Sequence, residues 1–277
     1  MSLSEDGLAE LAGLLVTVPG VIGVVLGGSR ARRDHTPESD TDLGLYYRLP
    51  LDTDRLDALA KQVAGPSGHV TEPGGWGPWV DGGGWLRIGG EPVDWIYRDL
   101  DRVAAVWAAA EHGRYGFHQQ PGHPLGFADL AYPGELALGK ILSDPTGELA
   151  ALQGRVRVFP PALAEALVGG LWEADFLVAV ARKAVARGDC AYIAGCLFRL
   201  VGVCAFALHG AARRWLINEK GAVAAAATLP GAPERFRQRV DAVFAGLDGD
   251  PVRLTGAIDA AADLVLDTAD ACAMMIR

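Results

Sequence analysis

The first part of the chain changes from a helical to a strand-like spacing of apolar residues. Residues 8–15 place leucines on one helical face, and Ser4 precedes them as a candidate N-cap. After the break at Pro19, residues 21–26 are apolar without interruption, which predicts a strand buried on both faces. Residues 42–47 predict a second strand. The chain therefore begins with an α/β pattern.

The same alternation continues to about residue 100. Asp52 can cap a helix that runs to about residue 64. Clusters of glycine and proline follow, and they frame two strand-like runs at 85–88 and 93–97. The pattern predicts a small mixed sheet with helices.

Beyond residue 99 the apolar spacing is helical, with one helix at 102–111 and a Gly-, Pro- and His-rich loop after it. Further helices are predicted at 134–143, 161–187, 189–217, 231–246 and 251–276. The predicted fold is an α/β domain of the α+β type, followed by an all-α helical bundle. We expect the α/β domain at 1–112, a linking loop at 113–133 and the bundle at 134–277.

The charge of the chain limits which classes of partner it can bind. The chain has 25 Lys and Arg against 34 Asp and Glu, a formal net charge of −9. A negative field of this kind repels polyanions, so we expect no nucleic-acid partner and no adsorption to an anionic membrane. The acidic residues Glu5 and Asp6 do not suit a signal peptide, and Pro19 interrupts the longest uncharged stretch. We expect a cytoplasmic protein.

A glycine-rich turn follows the first predicted strand. Gly27 and Gly28 allow the backbone to turn tightly and to approach a ligand, and Ser29 opens a short helix. Free N–H groups at a helix start favour an anion, so the turn suits a phosphate. An ordinary loop has the same appearance, and the turn alone does not distinguish the two.

Three aspartates are the second chemical signal. Asp40 and Asp42 are two residues apart at the start of a strand, so their carboxylates project from one face. Adjacent carboxylates repel each other, but together they suit a hard cation such as Mg²⁺. Two turn aspartates are the simpler interpretation. Asp94 argues against it, because a carboxylate in the middle of a strand is costly unless it has a partner.

Taken together, these residues resemble a known family. Gly28-Ser29, the pair Asp40 and Asp42, and the later Asp94 look like the pattern of the nucleotidyltransferase superfamily of DNA polymerase β type, over residues 21–98. The order of α/β domain and helical bundle is most similar to the kanamycin and aminoglycoside nucleotidyltransferases, and this resemblance implies that the bundle at 134–277 is the acceptor-binding domain. Arg33 stands where family members often carry glycine.

The resemblance implies transfer of a nucleoside monophosphate from an NTP, expected to be ATP, to a hydroxyl of a small acceptor. It implies two Mg²⁺ ions held by Asp40, Asp42 and Asp94, which suits phosphoryl-transfer chemistry. It also implies that Gly28 and Ser29 hold the β- and γ-phosphates, with Arg32 as a further candidate for binding the nucleotide.

The resemblance extends loosely to the segment 132–140. In kanamycin-type enzymes the corresponding turn carries a general base and a lysine that reaches the α-phosphate, which implies these roles for Glu135 and Lys140. A surface Glu–Lys helix is the alternative interpretation. Lys220, after a long predicted helix, is a second candidate for the triphosphate, or a solvated helix end.

Two aromatic features remain open. Trp76, Trp79 and Trp85 are either a wall near the active face or the core of a small hairpin layer. The loop 116–123 is either an acceptor-binding segment or a turn with two exposed histidines.

Two functions from different classes follow. The first is a Mg²⁺-dependent nucleotidyltransferase whose acceptor is a small hydroxylated molecule such as an aminoglycoside, which an acidic protein suits. The second is a non-catalytic, antitoxin-like member of the superfamily that acts by binding a protein partner. The helical half and the crowding of three carboxylates favour the first.

Overall fold

The computed structural model describes residues 3–32 and 39–276, with the backbone alone for Arg32; Arg33 lies outside the described residues. The chain forms two compact units, one made of Met1–Ala108 and Gly116–Val158, the other of Ala109–Tyr115 and Phe159–Arg277.

The first unit is the α/β part of the molecule. Its elements in chain order are α1 (Glu5–Leu15), β1 (Val21–Leu26), α2 (Gly28–Arg32), β2 (Thr41–Tyr47), α3 (Thr53–Ala64), β3 (Gly83–Ile88), β4 (Glu91–Asp99), α4 (Leu100–Ala110, which continues into the second unit), β5 (Phe117–His118), β6 (Phe127–Ala128), α5 (Ala131–Leu138), β7 (Lys140–Ser143) and α6 (Glu148–Val156). Five strands form one mixed sheet in the order β3-β4-β2-β1-β7, and β5 pairs with β6 separately. In the five-stranded sheet β2 and β4 are parallel, and the other pairs are antiparallel.

Local sequence explains the first elements. The Ser4 side chain accepts from Gly7 N–H and caps α1, and the Asp52 side chain does the same for α3 through Arg55 N–H. The strands β1, β2 and β4 bury their alternate residues in one core with the apolar faces of α1 and α3. On the opposite face Val25 and Tyr46 are also buried, whereas Asp42 and Asp94 are partly accessible.

The predicted helix at 134–143 is wrong in its second half. The helix α5 ends at Leu138, and Lys140–Ser143 is instead an edge strand that pairs with β1. Gly139 permits this change, because a Cβ there would lie 2.4 Å from the Val25 Cγ1 atom. Only a glycine lets the backbone pass so close to β1.

The predicted domain boundaries also differ from the compact units. Residues 116–158, which include most of the predicted linker and the start of the predicted bundle, belong to the first unit. The strand β7 is the reason, because it completes the sheet of that unit.

The second unit is helical, as predicted. It contains α7 (Pro161–Gly169), α8 (Trp172–Ala184), α9 (Cys190–Ala211), α10 (Ala222–Ala226), α11 (Phe236–Ala245) and α12 (Pro251–Ile276). The predicted helix at 161–187 is interrupted after Gly169, where α7 ends and α8 begins. The mixed α/β sheet and the helical carboxyl-terminal region confirm the predicted fold class.

The helix α9 is the centre of the second unit, where it contacts α7, α8, α10 and α12. By length and composition alone α9 could cross a membrane, but 67% of its most apolar window is buried inside the protein. Burial of this extent is typical of a core helix in a folded bundle.

Candidate functional site

Two of the candidate carboxylates lie side by side on adjacent parallel strands. Asp42 of β2 is in register with Asp94 of β4, so both project from the same face of the sheet. On the far side of Asp94, its register partner is Trp85 of β3. On the far side of Asp42, the Gly27 N–H donates to the Asp42 carbonyl oxygen at 2.8 Å. We call the three residues Asp42, Asp94 and Trp85 the carboxylate row, and the backbone of Gly27 borders it.

The carboxylate row lies on the face of the sheet opposite the core that α1 and α3 cover. Leu43 and Trp95, the next residues along β2 and β4, are fully buried in the core. Because side chains alternate along a strand, Asp42 and Asp94 project from the opposite face, and both are partly accessible.

The carboxylates of the site influence each other electrostatically. The pKa of Asp94 is raised to about 6, first by burial and then by the negative charges of Asp42 and Asp40. Asp40 itself is exposed, immediately before β2. The structure therefore brings the three predicted aspartates into one electrostatic neighbourhood.

The donor set at this place fits a hard divalent cation. All three groups offer carboxylate oxygens, which Mg²⁺ prefers, and a cation would relieve the repulsion that raises the pKa of Asp94. Among residues 3–32 and 39–276, no group of three His, Cys, Asp or Glu is already close enough to hold a metal. The three aspartates are therefore neighbours, but their carboxylates are not grouped closely enough to hold a metal as they stand.

Gly28 is fitted closely to the second aspartate. Its φ is +61°, and a Cβ built there would lie 1.8 Å from the Asp42 Oδ2 atom. No other residue type can occupy this position without moving the carboxylate. Ser29 follows in α2 and is half-buried, and the backbone of Arg32 ends the same short helix. The glycine turn and Asp42 therefore form one compact arrangement.

Arg30 is a residue of this region that the sequence did not single out. Its guanidinium Nη2 donates to the Ser39 carbonyl at 3.2 Å and to the Glu91 carboxylate at 3.3 Å. This links α2 to the segment before Asp40 and to the start of β4. The contact between Arg30 and Glu91 could not be predicted from the sequence, because the two residues are 61 positions apart.

Glu135, the candidate base on α5, has a charged partner on β4. Its carboxylate forms a two-pronged ion pair with Arg98, at 2.5 Å to Nε and 2.8 Å to Nη2. Arg98 is 4% exposed, and it lies four residues beyond Asp94 on β4, about 13 Å along the strand. The carboxylate of Glu135 is engaged in neutralising a buried cation.

The two candidate lysines belong to different units. Lys140 begins β7, in register with Leu26, and pairs with Glu5 at 2.9 Å in an exposed ion pair. It is not on the same helix as Glu135, because α5 ends at Leu138. Lys220 belongs to the second unit, in the turn before α10, where its N–H donates to Asn218 Oδ1 at 2.8 Å.

The sequence left open whether Trp76, Trp79 and Trp85 form a wall near the active face or the core of a small hairpin layer, and the structure separates them into two groups. Trp76 stacks on Trp85, with ring centroids 4.5 Å apart and an interplanar angle of 11°. Trp79 instead stacks on His118 at 3.6 Å and lies beside Phe127. The Trp76–Trp85 pair is therefore next to Asp94, whereas Trp79 belongs to a separate aromatic layer.

The loop 116–123 contributes to this layer. His118 contacts the Asp129 carboxylate at 3.0 Å, and β5 and β6 pair as a small hairpin. Gln120 is 5% exposed. Its Oε1 accepts from Trp79 N–H and Val80 N–H, and its Nε2 donates to the Trp76 carbonyl. The loop therefore holds the segment that carries Trp76.

Part of the chain matches a known family model. Residues 9–65 match the family model of the nucleotidyltransferase domain. The matched segment contains the glycine turn, Asp40 and Asp42, and it ends before Asp94. No curated protein matches the chain.

Among solved structures, the chain is similar to a nucleotidyltransferase-like protein from Exiguobacterium sibiricum 255-15, at 13% sequence identity and a TM-score of 0.45. The alignment covers 98% of this chain and 77% of that one. At this level the likeness does not bear on activity. The match to the nucleotidyltransferase domain model is confined to residues 9–65, which lie in the first unit.

Proposed function

We propose that this protein transfers a nucleoside monophosphate from an NTP, ATP in the first instance, to a hydroxyl of a small acceptor. The observation that carries the proposal is the placement of Asp42 and Asp94 in register, with Gly28 against the Asp42 carboxylate. The match of residues 9–65 to the nucleotidyltransferase domain supports the same reaction.

Each residue of the site has a role in this proposal. The turn at Gly28 and Ser29 binds the β- and γ-phosphates, because a glycine backbone allows close approach of an anion. Asp40, Asp42 and Asp94 would hold Mg²⁺, with two ions expected. When bound, Mg²⁺ neutralises phosphate charge and stabilises the in-line displacement. Arg32, Lys140 and Lys220 are not needed by the proposal.

The reaction requires a proton acceptor. As the acceptor oxygen bonds to the α-phosphorus, the bond to pyrophosphate breaks and the hydroxyl proton must leave. Glu135 is a poor choice, because its carboxylate is already engaged in an ion pair with the buried Arg98. We assign the proton to Asp94, the carboxylate of the row that lies farther from the glycine turn.

A small acceptor fits the charge of the protein better than a nucleic acid does. The net charge of −9 opposes a polyanionic acceptor and is compatible with a neutral or cationic one, such as an aminoglycoside. A cytoplasmic location, where ATP and Mg²⁺ are available, is part of the same proposal.

The proposal is tested by product formation. The purified protein is incubated with each of the four labelled NTPs and a panel of hydroxylated small molecules, with Asp42→Asn as the inactive control. The expected result is a labelled acceptor adduct and pyrophosphate in the presence of Mg²⁺, and neither with Asp42→Asn. Absence of any adduct, together with capture of a specific protein partner, would favour the antitoxin-like alternative.

A further inference from the structure

We propose that the stacked pair Trp76 and Trp85 is the acceptor platform of the site, on which a hydroxylated ring packs its apolar face against the exposed indole of Trp85. This inference rests on the proposed function, since it assigns the acceptor side of the same site. Trp76 and Trp85 are then residues that determine specificity, and they select a hydroxylated ring compound.

The order of residues along the carboxylate row gives the direction of the reaction. The glycine turn, which binds the leaving pyrophosphate in the proposal, is at one end, and Trp85 is at the other. In phosphoryl transfer the attacking and leaving oxygens are roughly in line. The attacking hydroxyl therefore approaches from the Trp85 end, about 5 Å in backbone spacing beyond Asp94.

The chemistry of the platform selects a ring. Trp85 is 72% exposed, a large apolar surface to leave in water beside two carboxylates. Trp76 covers part of it by parallel stacking at 4.5 Å, so the indole offers a ligand one flat face. A hydroxylated saturated ring matches this arrangement, because its C–H face packs on the indole while its hydroxyls remain directed to water and to Asp94.

The platform is held rigidly, which is what a binding surface requires. The buried Gln120 amide bonds to the backbone of Trp76, Trp79 and Val80. At the other end of the loop, the Asp81 carboxylate accepts from Gly74 N–H at 3.1 Å and from the Tyr47 hydroxyl. Trp76 therefore reaches Trp85 from a loop that is anchored on both sides.

The test follows the indole N–H signals of the protein by NMR, with those of Trp76 and Trp85 assigned from Trp76→Phe and Trp85→Phe. The probes are α,β-methylene-ATP with Mg²⁺, followed by kanamycin A, spectinomycin and methyl α-glucoside. We expect the ring compounds to shift the Trp85 signal more than the nucleotide does. Trp85→Ala should weaken binding of the responding ring compound about tenfold, and Trp85→Phe should restore part of it.

The control is Leu49→Ala, which removes another strongly exposed apolar side chain of the same unit, at 71% exposure, beyond the end of β2 that is opposite Asp42. It should leave binding of the ring compound unchanged. The proposal is overturned if the nucleotide produces the larger shift at Trp85, if no ring compound shifts it, or if Trp85→Ala binds as tightly as the wild type. Failure of the nucleotide to bind at all would overturn the proposed function itself, and calorimetry with the nucleotide alone separates that case.

Discussion

At the scale of single residues, the proposed transfer activity depends on how closely Gly28 approaches Asp42. Gly28→Ala would place a methyl group 1.8 Å from the carboxylate oxygen at a positive φ, so the carboxylate must move. We predict loss of most transfer activity with the fold retained, measured by initial rates and circular dichroism.

Gly27→Ala is the matched control for this prediction. A Cβ at Gly27 would lie 3.7 Å from the Asp42 Cβ atom, an ordinary contact. It should retain activity near that of the wild type. Equal activity of the two variants would contradict the role assigned to the glycine turn.

Asp94 is a second residue whose chemistry makes a prediction. Its pKa in the folded protein, about 6, lies above the ordinary value of 3.8. A raised carboxylate pKa favours folding at acid pH, and that benefit is lost as the pH rises from about 4 through 6. Asp94→Asn removes the charge, so at pH 7.5 in EDTA the variant should be more stable, by about 1 kcal/mol after allowance for solvent screening.

The same variant should be inactive and should not gain stability from Mg²⁺, as measured by thermal unfolding with and without the metal. The stability advantage should shrink as the pH falls from about 6 to about 4, because the carboxyl of the folded wild type is protonated there. Asp263→Asn, at an exposed position of α12, is the control. A destabilised Asp94→Asn in EDTA would mean that the carboxylate has a structural partner instead.

At the scale of the elements, the ion pair between β4 and α5 has a predicted structural role. Glu135→Ala leaves the buried Arg98 guanidinium without its counter-charge, which typically costs about 3–5 kcal/mol. We expect a loss of that order in the free energy of unfolding, measured by urea denaturation.

Breaking the exposed Lys140–Glu5 pair with Glu5→Ala is the control, and it should cost less than about 1 kcal/mol. The competing role for Glu135 is the general base. If Glu135→Gln keeps its stability but lowers kcat by about 10²–10⁴-fold, Glu135 is the base and the assignment to Asp94 is wrong.

The elements also show what the sequence could predict. The bounds of β1 were predictable, because six consecutive apolar or glycine residues between breakers have one interpretation. The strand β7 was not, because Lys140–Ser143 has no strand pattern of its own and becomes a strand only by pairing with β1.

Some residues of the site could be predicted from the sequence, and the contacts of others could not. Asp40, Asp42 and Asp94 could be singled out, since their spacing and mid-strand position are local signals. The partner of Glu135 could not, because Arg98 is 37 residues away and only the folded sheet brings it there. Trp85 could be noticed as an aromatic residue, but its register with Asp94 required the structure.

At the scale of the whole molecule, the net charge makes a prediction about the acceptor. With −9 distributed over the chain, the protein should neither bind poly(A) RNA at physiological salt nor extend it with labelled ATP. A gel-shift assay and a tailing assay measure the two. Extension of the RNA would contradict a small-molecule acceptor.

We propose that the carboxylate row and its glycine turn bind a nucleotide together with Mg²⁺. Isothermal titration of the full chain with α,β-methylene-ATP, in Mg²⁺ and in EDTA, measures this binding. We expect binding in Mg²⁺ and none in EDTA, with an affinity that Gly27→Ala leaves unchanged and Asp42→Asn weakens about tenfold or more. Equal binding in EDTA, or wild-type affinity in Asp42→Asn, would contradict it.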